Sequence, residues 1–197
     1  RLGLMSAMTT VESDFVSNAT GRTEPPNILF ILADDLGWAD LSCYGSDAIR
    51  TPNLDRLAAG GVRFTHGYSG SPWCSLTRLS LYTGRHPGRL EAGIEEPLRT
   101  RSETNGIPAG HPTLPSLLRD SGYDTAMFGK WHCGWLPWHS PLRIGFDTFF
   151  GNLDGAMDYF EHIGTLGEPD LWEGETPVEM TGYYTDIISE KTAEFVA

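Results

Sequence analysis

Residues 27–33, Asn-Ile-Leu-Phe-Ile-Leu-Ala, carry a continuous apolar run of strand length that stops abruptly at Asp34-Asp35. Such a run suits a strand covered on both faces, as in a parallel sheet. Thr51-Pro52 then puts a capping hydroxyl before a proline at the first helical position. Leu54, Leu57 and Ala58 form that helix's apolar stripe, and Gly60-Gly61 closes it. Val62 to Tyr68 alternates loosely and reads as a short strand. Ser71-Pro72 leads into a second helix starting near Cys74, where Leu76, Leu79 and Ser80 fall at i, i+3 and i+4 and mark a buried face. Thr113 to Asp120 forms a third helix, with Leu114, Leu117 and Leu118 on one face and Gly122 as its stop. Tyr123 to Phe128 reads as another buried strand, running into Gly129-Lys130-Trp131-His132. Thr185 to Val196 is helical, with Ile187, Ile188, Lys191 and Phe195 near helical spacing.

Strand and helix in alternation predict an α/β fold with a largely parallel sheet flanked by helices. Residues 1–26 are polar, rich in Ser and Thr, and read as a mobile leader; residues 27–197 form the folded part. Residues 86–112 are rich in Gly, Pro and charge and read as a long surface loop. Residues 133–182 are rich in aromatics, Gly and Pro, and are expected to wrap over the site as irregular structure with short strands.

Composition narrows the function classes. The formal net charge of −12, from 14 basic and 26 acidic residues, argues against a nucleic-acid or anionic-membrane surface. It does not describe a pocket, because Arg78, Arg85, Arg89, Arg99 and Arg101 cluster near the second helix. No apolar run approaches the length of a membrane span, and residues 1–26 lack the pattern of a signal peptide. Cys43, Cys74 and Cys133 make an odd number without Cys-x-x-Cys spacing, so neither a disulfide framework nor a zinc knuckle is expected. The Asn18-Ala19-Thr20 sequon reads as chance.

Three groups of residues carry candidate chemistry. Asp34 and Asp35 are adjacent carboxylates at a strand end, where open α/β sheets place ligands. Their repulsion is relieved by a hard cation, Ca²⁺ or Mg²⁺; an acidic turn is the competing reading. Cys74 at a helix start meets unpaired N–H groups and the positive dipole end, which stabilise a thiolate or a bound oxyanion. Arg78, four residues on, projects from the same side and suits a tetrahedral oxyanion. Taken alone, Cys74 reads as a small buried hydrophobe, and a plain cysteine nucleophile with His132 as its base is a second functional reading. Lys130 and His132 alternate on an extended segment, so both can face one pocket. There a lysine clamps an anion and a histidine moves protons. His66, His86, His111, His139 and His162 read as structural or surface positions. Arg85 and Arg89 read as pocket-mouth candidates, and Asp158-Tyr159-Phe160 as core packing.

Taken together, Ile31-Leu32-Ala33-Asp34-Asp35-Leu36-Gly37, Cys74-x-x-x-Arg78 with Thr83-Gly84-Arg85, and Gly129-Lys130-Trp131-His132 resemble, in order, the motifs of type I sulfatases. Thr51-Pro52-Asn53-Leu54-Asp55 and Glu95-Glu96-Pro97-Leu98 also look like the arylsulfatase branch. The resemblance covers roughly residues 26–197. It departs at Leu76, where the family's Cys-x-Pro-x-Arg pattern has proline, and at Cys133, where Leu is common.

The resemblance implies a truncated alkaline-phosphatase-like sulfatase core, the N-terminal portion of a longer protein and inactive alone. It implies a sulfuric ester hydrolase in which a formylglycine-generating enzyme oxidises Cys74 to formylglycine. It further implies a calcium ion, or magnesium, on Asp34, Asp35 and residue 74. Arg78 and Lys130 stabilise charge, and His132 handles the proton. The remaining metal and sulfate ligands of the family lie further along than this chain reaches. The implied partners are a sulfate ester and the modifying enzyme, with a secreted, periplasmic or lysosomal location if a signal peptide precedes the chain. A phosphodiester or phosphonate ester hydrolase of the same superfamily, and a non-catalytic anion-binding relative, are the alternatives.

Overall fold

The computed structural model describes residues 25–94 and 100–197. The expected leader up to residue 24, the sequon and the Glu95–Leu98 segment therefore lie outside the described residues. The chain divides into two compact units, Arg1–Leu36 and Gly37–Ala197.

In the first unit, residues 25–33 form no strand, which corrects the expectation for 27–33. Ile28, Leu29, Phe30 and Ile31 are 58%, 62%, 61% and 72% exposed. An apolar run supplies side chains for a sheet, not the neighbouring strands that complete its hydrogen bonds. Among the described residues, none pairs with it. The run ends in a bend at Asp34-Asp35, with Asp35 at φ 53°.

The second unit opens on two short 3-10 turns and helix α1, Pro52–Gly60. Thr51 precedes α1 as expected, but its hydroxyl does not cap the helix backbone. It accepts from Ser42 N at 3.0 Å and donates to Asp55 Oδ1 at 3.2 Å, while Ser42 Oγ reaches Asp55 Oδ2 at 2.7 Å. Val62 to Tyr68 is irregular rather than a strand, with Val62, Phe64 and Tyr68 exposed. Among the described residues no neighbour offers that segment a ladder.

Helix α2, Cys74–Thr83, buries Ser75, Leu76, Arg78, Leu79 and Tyr82. The expected i, i+3 face therefore points inward, each buried leucine contributing about 1.5–3 kcal/mol. Gly84 ends α2 in the left-handed conformation at φ 63°, its N–H donating to Ser80 O at 2.9 Å. The core around α2 joins Leu76, Leu79 and Tyr82 to Met127, Trp131, Cys133, Ile144 and Phe149. Residues 86–112 are not only surface: Pro87, Leu90, Ala92, Gly93, Asn105 and Ile107 are buried, so this stretch re-enters the core.

Helix α3, Leu114–Asp120, is capped reciprocally by Thr113 and Ser116, each hydroxyl accepting from the other's backbone N–H. Its expected apolar face is reversed. Leu114 and Leu117 are 45% and 58% exposed, and Pro115 is buried instead. The inward side is set by Gly145, where a Cβ would fall 2.3 Å from Ser116 N. Backbone contact takes the place of side-chain packing there.

Strand β1, Ala126–Phe128, runs parallel to β2, Thr148–Gly151, with Met127 opposite Phe149. β3, Trp172–Glu173, and β4, Thr176–Pro177, add antiparallel pairings in the order β1-β2-β3-β4. One described pairing is thus parallel and two are antiparallel, the latter from the aromatic stretch expected to hold short strands. Helix α4, Tyr184–Val196, packs Tyr184 and Ile187 against Phe150 and Leu171.

Candidate active site

Cys74 is the first residue of α2, preceded by a turn in which Ser71 O accepts from Thr77 Oγ1 at 2.6 Å. One turn later Arg78 is buried, and its Nη1 donates to the backbone carbonyl of Lys130. That bond ties α2 to the segment leaving β1. The segment continues parallel to the residues leaving β2: Gly129 N donates to Phe150 O at 2.9 Å, Trp131 N to Asn152 O at 2.8 Å and His132 N to Leu153 O at 3.2 Å.

Alternation along this segment sends Trp131 into the core, 0% exposed, where its Nε1 donates to His139 O at 2.9 Å. His132 adds a left-handed φ of 49°, a sparsely used conformation for a residue with a side chain. The result is a direct contact, with Cys74 Sγ 3.3 Å from His132 Nδ1. Cys74 thus meets His132 across 58 positions, and Arg78 meets the Lys130 backbone across 52. Cys74 is half-buried and His132 buried.

Burial pushes the Cys133 and Tyr82 hydrogens to much higher pKa, and the Arg78 guanidinium pulls both back. Lys130 pulls on Cys133 in the same direction. Cys133 is fully buried and Cys43 half-buried; all three cysteines are free, so Cys43 and Cys133 do not bridge.

Asp34 and Asp35 lie exposed in the bend of the other unit. Their oxygens fit a hard cation in kind, but a calcium site needs about six to eight ligands. Among the described residues no group of three or more His, Cys, Asp or Glu side chains could hold a metal ion. The residues present would be a part of such a site.

His139 and His162 are buried, while His66 and His86 are exposed, consistent with structural or surface roles. The His139 ring packs against Gly106 and Gly134, with Nδ1 3.0 Å from Ile107 O. Arg85 and Arg89 are exposed, and Arg85 helps hold the His111 pKa down, after the larger effect of partial burial. Tyr159 and Phe160 are 49% and 67% exposed and cluster with Tyr183, which corrects the core-packing expectation. Sequence reasoning missed Asn152–Gly155, the stretch alongside His132. A Cβ on Gly155 would lie 2.6 Å from His132 Cε1. The available signal was a run of turn-forming residues after a strand's carboxyl end.

The family model of sulfatases matches residues 26–197. The chain belongs to the sulfatase family. It is 44% identical to human N-acetylgalactosamine-6-sulfatase over 139 residues, covering 68% of this chain and 27% of that sulfatase. It is 43% identical to human steryl-sulfatase over 179 residues, 85% of this chain and 28% of the relative. Among solved structures, Ps i-CgsB superposes with a TM-score of 0.80 at 36% identity, covering 88% of this chain and 41% of that one. The chain thus spans under a third of the length of these two curated sulfatases. The fold is the α/β, alkaline-phosphatase-like core of the family, here in its N-terminal portion. No helix among the described residues is long and apolar enough to cross a membrane.

Proposed function

We propose that this chain carries the nucleophile and proton-handling half of a sulfuric ester hydrolase. The observation that carries the reading is the 3.3 Å contact between Cys74 at the start of α2 and His132, with buried Arg78 bonded to the intervening Lys130 carbonyl. Membership of the sulfatase family supports it.

In this reading a formylglycine-generating enzyme converts Cys74 to formylglycine, whose hydrated aldehyde supplies the attacking oxygen. Asp34 and Asp35 are carboxylates of the kind that would hold a divalent ion, calcium or magnesium, which when bound would supply charge to polarise an oxygen. Arg78, fixed by burial and by its bond to Lys130 O, holds its charge against the sulfate oxygens with little reorganisation. Lys130 adds a second positive charge on the same side. One hydroxyl oxygen bonds to sulfur as the ester's alcohol leaves with a proton; His132 Nδ1 then takes the proton of the second hydroxyl at residue 74, the carbon–oxygen bond to sulfate breaks and the aldehyde re-forms. The relatives' names include both sugar and steryl sulfatases, so the reading stays at the level of the sulfate ester.

The test is mass spectrometry of the Cys74 peptide from the full-length protein made in its native host, with turnover of an aryl sulfate and an aryl phosphate diester. A residue about 18 Da lighter than cysteine, from thiol-to-aldehyde oxidation, together with sulfate release, supports the reading. Unmodified cysteine with no sulfate turnover overturns it, and diester turnover alone would assign the protein to phosphoryl chemistry.

A further inference from the structure

Asp170 lies just before β3, 4% exposed, and its carboxylate is spent on the backbone that lines His132. Oδ1 accepts from Leu153 N at 3.2 Å and from Trp172 Nε1 at 2.8 Å. Oδ2 accepts from Asp154 N at 2.8 Å. Asp154, 6% exposed, grips the same stretch from the other side. Its carboxylate accepts from Gly155 N at 2.5 Å and Thr165 N at 2.7 Å, and from the Thr165 hydroxyl. Asn152 closes the turn by donating from Nδ2 to Asp154 O at 2.8 Å, and its Oδ1 accepts from Tyr184 OH at 2.8 Å. Two buried acids are costly to hold, and burial raises the Asp170 pKa, with Asp154 adding to it. N–H donors offset that cost, and every donor to Asp170 belongs to this turn or to Trp172.

The braced turn meets His132 twice. Leu153 O accepts the His132 amide at 3.2 Å, which helps hold the residue in its left-handed conformation. Gly155 lies against the imidazole, with no room for a Cβ. We infer that Asp170 is a positioning residue for His132, acting through the Leu153–Gly155 backbone. This rests on the proposed sulfatase reading for its kinetic consequence, but the brace itself can be measured without turnover.

The experiment uses the full-length protein and Asp170→Asn, which keeps the shape but turns one acceptor into a donor. Trp172→Phe, which removes a single donor to Oδ1, serves as a milder variant that keeps the fold. Asp147→Asn is the control, because Asp147 accepts Thr125 N and Oγ1 at 3.0 and 2.8 Å in another part of the unit. Hydrogen exchange of the peptide over residues 129–135 should speed up about tenfold in Asp170→Asn, less in Trp172→Phe and not in Asp147→Asn. With an aryl sulfate, kcat should fall at least about tenfold in Asp170→Asn while KM changes by less than about threefold, the signature of a displaced catalytic group. Exchange at 129–135 no faster than in the control, for both Asp170→Asn and Trp172→Phe, overturns the inference. So does a kcat loss no larger than the control's. If the unsubstituted protein releases no sulfate, the proposed function fails, and the exchange result alone decides the brace.

Discussion

Gly155→Ala should cost activity at least as much as stability. An ideal Cβ at Gly155 lies 2.6 Å from Cε1, 2.9 Å from Nε2 and 3.2 Å from Nδ1 of His132. Ordinary contact between carbons is about 3.5–4.0 Å, so the ring or the turn must yield by about 1 Å. The ring is 5% exposed, sits 3.3 Å from Cys74 Sγ, and its backbone amide is tied to Leu153 O. It has little free space to yield into. Overpacking of this kind costs about 1–3 kcal/mol. Gly155 is outside the left-handed region, so alanine recovers about 0.4–1 kcal/mol by restricting the unfolded chain. The net stability change is then at most about 2.5 kcal/mol. A catalytic group misplaced by about 1 Å costs about a hundredfold in rate. Steady-state turnover of an aryl sulfate by the full-length protein, beside a thermal melt, separates the two effects. A kcat within about threefold of the parent, with a normal melt, would refute both the tight contact and the role given to His132.

Two further outcomes follow from the core and the charges. Leu79→Ala removes a fully buried side chain from the centre of the α2 core and should destabilise by about 2–5 kcal/mol in denaturant titration; a loss under about 1 kcal/mol would mean the site collapses around the cavity or is not packed as described. Asp147 has its pKa held down, first by the Thr125 hydroxyl and then by the Thr125 amide. Its stabilising effect is therefore present above the ordinary aspartate value and lost as pH falls through the lower folded value. Because Asp147 is exposed the effect is small; Asp147→Asn should lower the melting temperature slightly at neutral pH and leave it unchanged at pH below the folded value, so that the acid limb flattens.

Legibility in the sequence followed how local each feature is. Helices α1, α2 and α4 appear within about one residue of their expected bounds, because caps, glycines and apolar periodicity act within a turn or two of chain. Residues 27–33 and Val62–Tyr68 were expected as strands and are not, since a strand exists only through a partner that the local pattern does not contain. α3 formed where expected with Leu114 and Leu117 outward, because Gly145 brings backbone rather than a pocket to its inner side. The Tyr159–Phe160–Tyr183 cluster, exposed rather than buried, fails for the same reason: aromatic content says nothing about which side of a loop faces in.

The candidate site divides along the same line. Sequence alone determined which residue types were available: a cysteine opening a helix, an arginine one turn on, and a lysine and a histidine after a strand. Periodicity and capping carry that information at short range. Tertiary structure decided that Cys74 and His132, 58 residues apart, meet at 3.3 Å with His132 in a left-handed conformation, and that Arg78 bonds the Lys130 carbonyl. It also decided that Asp154, Gly155 and Asp170, unremarked in the sequence, shape the space around that histidine. The physical reason is that β1 and β2 run parallel and end together. The backbone hydrogen bonds that continue past both strand ends bring residues 129–132 beside residues 150–153, and no pattern within either segment encodes that pairing.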